Sequence, residues 1–135
     1  MDIEALNSNL IKLVDLKIEL SKIDYNQPEY DDKEEKLHDM EDDFLEEYGD
    51  YLEDALHTVH DEYCPDDDVL LPTAYLAKQY IKSKEGQYDV KISEGVPVEV
   101  DDYPDKLGRL VLLPNPVRLV LTVGKVHKEA VWHAK

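Results

Sequence analysis

The sequence predicts an α+β fold: an N-terminal antiparallel helical hairpin and a short third helix, packed on a C-terminal antiparallel sheet of four to five strands. Three observations predict it. Apolar residues recur every three or four positions as far as Tyr63, they alternate from Tyr88 onward, and Pro28, Pro65 and Gly86 fall where one regime gives way to the next. A length of 135 residues suits one domain, divided into an acidic helical hairpin (1–64), a loop and short helix (65–86) and the sheet (87–135).

The first helix spans Ile3 to Ile23. Ile3, Leu6, Leu10, Leu13, Val14 and Leu20 gather into one stripe, while Ile11, Leu16 and Ile18 lie off it, so the helix meets more than one neighbour. The break falls at Asp24-Tyr25-Asn26-Gln27-Pro28, where Asn26 or Gln27 can cap and proline suits the first helical position. The second helix carries Leu37, Met40, Phe44, Tyr48, Leu52, Leu56, Val59 and Tyr63 at helical spacing until Pro65 stops it. At ~1.5 Å per residue it outruns its partner by roughly 20 Å, so the β half or a second copy of the chain must cover its end. Gly49 marks a point where it could bend.

Thr73 can cap the third helix, which runs to about Ser83 with Gly86 beyond its end. Alternation then places strands at Tyr88–Ile92, Val96–Val100, Arg109–Leu113, Val117–Val123 and Ala130–Ala134. Pro97 assigns the second of these to a sheet edge, because proline donates nothing to a ladder. The strands around Leu110–Leu113 and Leu119–Leu121 are apolar on both faces and should be central, joined through Pro114-Asn115-Pro116. Val123-Gly124-Lys125-Val126 suits a tight hairpin into the last strand.

The net charge of −17 is unevenly held. Residues 1–71 carry 5 Lys/Arg against 24 Asp/Glu, and residues 72–135 carry 10 against 8. Such a field repels nucleic acid and anionic membrane and favours basic partners, although it also serves plain solubility. Lys82, Lys84, Lys91 and Arg109 form no basic stripe, which argues against direct nucleic-acid binding. A single cysteine, Cys64, excludes an internal disulfide; with no signal-like start and no long apolar run, the expectation is a soluble cytoplasmic protein.

One constellation invites chemistry. His57, His60, Asp61 and Cys64 lie at i, i+3, i+4 and i+7, and His57, His60 and Cys64 share a helical wedge of about 60° with Glu53. Imidazole and thiolate together suit zinc, or iron in a redox site. The plain alternative is a polar helix with two histidines on its wet flank and a small apolar cysteine at its end, since neither C-x-x-C nor H-E-x-x-H is present. Glu35-x-x-His38 resembles half of a di-iron site, but the first helix offers only Glu4, Asp15 and Glu19 and no histidine.

The five glycines form neither a phosphate loop nor a nucleophile elbow, so no cofactor is expected and the balance leans away from an enzyme. The leading expectation is a non-catalytic protein-interaction or accessory module, with a protein partner or itself as a homodimer. It would use the overhanging part of the second helix and the tyrosines beside it, whose rings are expected at core edges with wet hydroxyls. A metal-binding protein using His57, His60, Cys64 and Asp61 is one alternative. An acidic mimic of nucleic acid, occupying the groove of a basic protein, is the other.

Overall fold

In the computed structural model, residues 1–125 and 127–135 are described. Helix α1 (Ile3–Ser21) starts where the Asp2 carboxylate accepts from the Ala5 N–H at 3.0 Å, an N-cap that satisfies one orphan donor. Helix α2 (Pro28–Tyr63) has Pro28 in its first turn with Glu29 and Asp31 at the positive end of the dipole, and it stops just before Pro65. The two form the expected hairpin. The stripe Leu6, Leu10, Leu13 and Val14 of α1 is buried in the same core as Leu37, Phe44, Tyr48 and Leu52 of α2.

Helix α2 runs unbroken through Gly49, which is buried. A Cβ there would meet only Leu45 Cδ2, at 4.0 Å, which is ordinary van der Waals contact. Gly49→Ala therefore removes backbone entropy from the unfolded chain without a clash and should stabilise the fold by about 0.5–1 kcal/mol in urea denaturation.

The part of α2 that outruns α1 is covered by the chain itself. Leu52 and Leu56 converge with Pro72, Tyr75, Leu112 and Leu119, so no second copy is needed to bury them.

The third helix is absent. Its place is taken by a single 3-10 turn (Pro72–Tyr75), after which Leu76 turns extended at φ −74°, ψ 139°. Two causes are visible. Tyr75, Leu76 and Ala77 are buried in succession, which no single helical face allows. The backbone N–H groups of Lys78 and Gln79, which a helix would have claimed, donate instead to the two carboxylate oxygens of Glu94 at 3.0 and 3.2 Å. Thr73 does not cap; Leu71 precedes the turn without a side-chain bond.

Among the described residues six strands follow: β1 (Ile81–Lys82), β2 (Tyr88–Asp89), β3 (Val96–Glu99), β4 (Leu107–Leu113), β5 (Arg118–Val123) and β6 (His127–His133). They form an antiparallel pair β1-β2 and a four-stranded antiparallel sheet in the order β3-β4-β5-β6. The strand expected at Tyr88–Ile92 is thus only two residues long and belongs to the small sheet. Pro97 does sit on an edge strand, and β4 and β5 are central neighbours, with Leu110 opposite Leu121 and Leu112 opposite Leu119. The turn foreseen at 123–126 includes Val126, which lies outside the described residues.

Both faces of the sheet are covered. Leu110, Leu112, Leu119 and Leu121 point to the side of α2, while Val111, Leu113 and Val120 are buried beneath the segment that carries Tyr88 and Gly95. Asn115, at φ 61°, stitches the β4–β5 turn to both sides: its N–H donates to Asn7 Oδ1 at 2.7 Å and its Nδ2 to the Gly86 carbonyl at 2.8 Å. On the other edge, β6 is largely exposed and its pairing with β5 slips between Leu119 and Val120, leaving Val131 as a bulge. Trp132 of β6 packs on the Tyr51 ring of α2, with centroids 5.9 Å apart.

Candidate functional site

The four residues of the His57–Cys64 constellation part company in the fold. His60 and Cys64 turn into the core, while His57 and Asp61 face solvent. Among the described residues, no group of three or more His, Cys, Asp or Glu converges in a way that could hold a metal ion.

Both ring nitrogens of His60 are already committed: Nδ1 lies 3.0 Å from the Asp67 carbonyl oxygen and Nε2 lies 2.8 Å from the Tyr75 hydroxyl. A carbonyl only accepts, so Nδ1 carries the proton and donates. In the neutral ring Nε2 is then the acceptor, and Tyr75 donates to it. The Tyr75 oxygen in turn accepts from the Leu70 N–H at 3.1 Å. The chain is closed and leaves His60 no lone pair for a metal. It ties the end of α2 to the 65–71 loop, whose Asp67 carboxylate also takes the Glu99 N–H.

Cys64 is fully buried, and burial pushes its thiol up to about 11, with Asp67 and Asp101 adding to the rise. A thiol held protonated is a poor nucleophile at neutral pH. Two results should follow. Alkylation at pH 8 should wait for global unfolding. An unfolded thiol ionises near 9.0 while the folded one keeps its proton to about 11, so stability should fall as pH rises through that window and be unaffected below it. Urea midpoints at pH 8 and 10.5 should therefore drop further in the wild type than in Cys64→Ala.

Tyr48, Tyr75 and Tyr80 are more deeply embedded than core edges, while Tyr51 and Tyr63 are half-buried there as expected. Tyr80 is buried, accepts from the Ala77 N–H at 3.0 Å and donates to the Leu112 carbonyl at 2.8 Å, and burial holds its phenol far above the ordinary range. Tyr48 accepts from Asn9 Nδ2 at 2.7 Å across the hairpin. These hydroxyls are structural pins, while Tyr51 and Tyr63 of α2 keep part of their surface outside the core.

What α2 leaves in the open is charge. It carries 16 Asp/Glu against Lys33 and Lys36. Two unbroken i, i+4 ladders of carboxylates run along it, Asp31-Glu35-Asp39-Asp43-Glu47 and Asp42-Glu46-Asp50-Asp54, and all nine residues are exposed. Residues four apart are neighbours on a helix surface, and each like-charge pair costs a helix ~0.2–0.5 kcal/mol. Little within ion-pair distance offsets them: among the described residues no carboxylate of α2 enters an ion pair, and Lys33 is turned to Glu19 of α1, although Lys12 of α1 shares a groove with Asp43 and Glu47. The ladders are plain in the sequence, but charge counted by halves of the chain conceals them.

No protein-family model matches this chain, and neither the curated proteins nor the solved structures include one with significant similarity to it.

Proposed function

We propose that this protein is a non-catalytic protein-binding module whose docking surface is the acidic face of α2, and that its partner presents a basic surface. The observation that carries this reading is the pair of exposed carboxylate ladders on one 36-residue helix, none of whose members enters an ion pair among the described residues. A helix of that length is a rigid rod of about 54 Å, so it offers its charges at fixed spacing and at little entropic cost on binding. Their mutual repulsion lowers the stability of the free protein, and a basic partner would relieve it. The same repulsion disfavours a homodimer built on this face.

The test is a capture experiment from cell extract with the wild type and with the quadruple variant Glu35→Gln, Asp39→Asn, Asp43→Asn, Glu47→Gln. Neutralising one ladder should raise the melting temperature, because the repulsion is removed. It should also abolish the salt-sensitive partners that the wild type retains at low ionic strength. A variant that is more stable yet captures the same proteins would end the proposal. Displacement of the captured partner by duplex DNA or RNA would mark the special case in which the ladders stand in for phosphates.

A further inference from the structure

A cleft lies away from α2, on the back of the main sheet between β2 and β6. It has a volume of about 450 Å³. Its apolar lining comes from Ala130 and the edge of Val120 above the buried Leu113, and Arg118 contributes a charge. Both rims carry a carboxylate, but each is already engaged. Asp89 is bonded to Lys128 Nζ at 2.6 Å, and Glu129 lies 3.0 Å from His127 Nε2. Burial pushes the Asp89 carboxyl up, yet its bonds from Lys128 and the Val90 N–H, with the charges of Lys128 and the more distant Arg118, outweigh this and hold it below its ordinary range.

Arg118 is different. Its Nη1 donates to the carbonyls of Pro114 and Pro116 at 2.9 and 3.0 Å, and its Nη2 to the Tyr88 carbonyl at 2.9 Å. These are neutral acceptors. Among the described residues no carboxylate lies within ion-pair distance of the guanidinium, and Nε and the second Nη2 hydrogen meet no acceptor. Burial pulls the guanidinium down, only partly countered by the more distant Asp89. A half-buried cation held by three carbonyls is fixed in place but not neutralised.

We propose that this cleft binds a small monocarboxylate with an apolar body, the carboxylate taken by Nε and Nη2 of Arg118 and the body lying against Ala130 and the edge of Val120, above the buried Leu113. The adjacent Nε and Nη2 hydrogens form the fork that matches two oxygens of one anionic group. Lys128 is occupied by Asp89, so one uncommitted cation selects a single negative charge. A dianion such as phosphate would meet Asp89, Glu129 and the −17 of the whole chain. The volume lies in the range of small-molecule sites.

Titration of the full chain with benzoate, followed by amide chemical shifts, tests this, with neutral benzamide as control. Benzoate should give saturable shifts at Gln87, Tyr88, Val120, Lys128 and Ala130, and benzamide should bind at least about tenfold more weakly. Arg118→Gln should weaken benzoate to the same degree. Because Arg118 also clamps three carbonyls, Ala130→Leu provides the independent arm: it keeps Arg118 and the fold, fills the cleft from an exposed position and should abolish the shifts. Equal binding of benzamide, unchanged binding to Ala130→Leu, or the absence of saturable shifts would each overturn the proposal.

Discussion

Gly95→Ala is expected to destabilise the protein by about 3–5 kcal/mol, one of the largest losses available to a single methyl group here. Gly95 precedes β3 and sits at φ +111°, where an L side chain is strained by ~1–2 kcal/mol. The added Cβ would also lie 2.6 Å from the Leu110 carbonyl oxygen and 3.0 Å from its carbon. These are backbone atoms of the central strand β4, held by pairing on both sides, and they cannot swing away as a side-chain tip could. The segment over the back of the sheet would have to lift, taking with it the cover of Val111. Gly86 supplies the control. It too has positive φ, +79°, but a Cβ there meets nothing within 4 Å, so Gly86→Ala should cost only about 1–2 kcal/mol of backbone strain. Urea denaturation of the two variants separates strain from collision; equal losses would show that the loop before β3 yields.

Much of this architecture was legible because it rests on local chemistry. Pro28 and Pro65 bound α2, Pro97 can serve only an edge, and the doubly apolar runs at Leu110–Leu113 and Leu119–Leu121 must be central. The failures share a cause. The segment after Thr73 has a cap-like threonine and helix-forming residues, but its fate is decided by Glu94, 16 residues from Lys78, whose carboxylate binds two N–H groups that a helix would need. His57, His60 and Cys64 do share one wedge of the helical cylinder, yet angular position does not say how far the core reaches round it. His60 follows Val59 and Leu56 inward, and His57 falls outside that arc. The Arg118 cleft was beyond reach, since it is assembled from β2, β4, β5 and β6 and no spacing in the chain brings them together.

His60→Ala should cost about 3–4 kcal/mol, and the pattern around that loss separates a structural histidine from a metal ligand. The cost has two parts: the cavity left by a buried imidazole, and the desolvated Tyr75 hydroxyl and Asp67 carbonyl left without their partners. Tyr75→Phe removes only one oxygen but strands His60 Nε2 and the Leu70 N–H, for about 1–3 kcal/mol. Since the two substitutions break the same bond, the double variant should lose about 1–2 kcal/mol less than the sum. His57→Ala and Asp61→Ala, at exposed positions, should stay within about 0.5 kcal/mol of wild type. All of these losses should be the same in chelator and in added zinc, because the bonds concerned are between protein groups. A metal centre makes the opposite demand. Loss in His60→Ala would appear only with metal present, His57 and Asp61 would matter as much as His60, and Tyr75 would matter little. The coupling between His60 and Tyr75 is therefore the decisive quantity, since only the hydrogen-bonded chain from Asp67 through His60 and Tyr75 to Leu70 requires it.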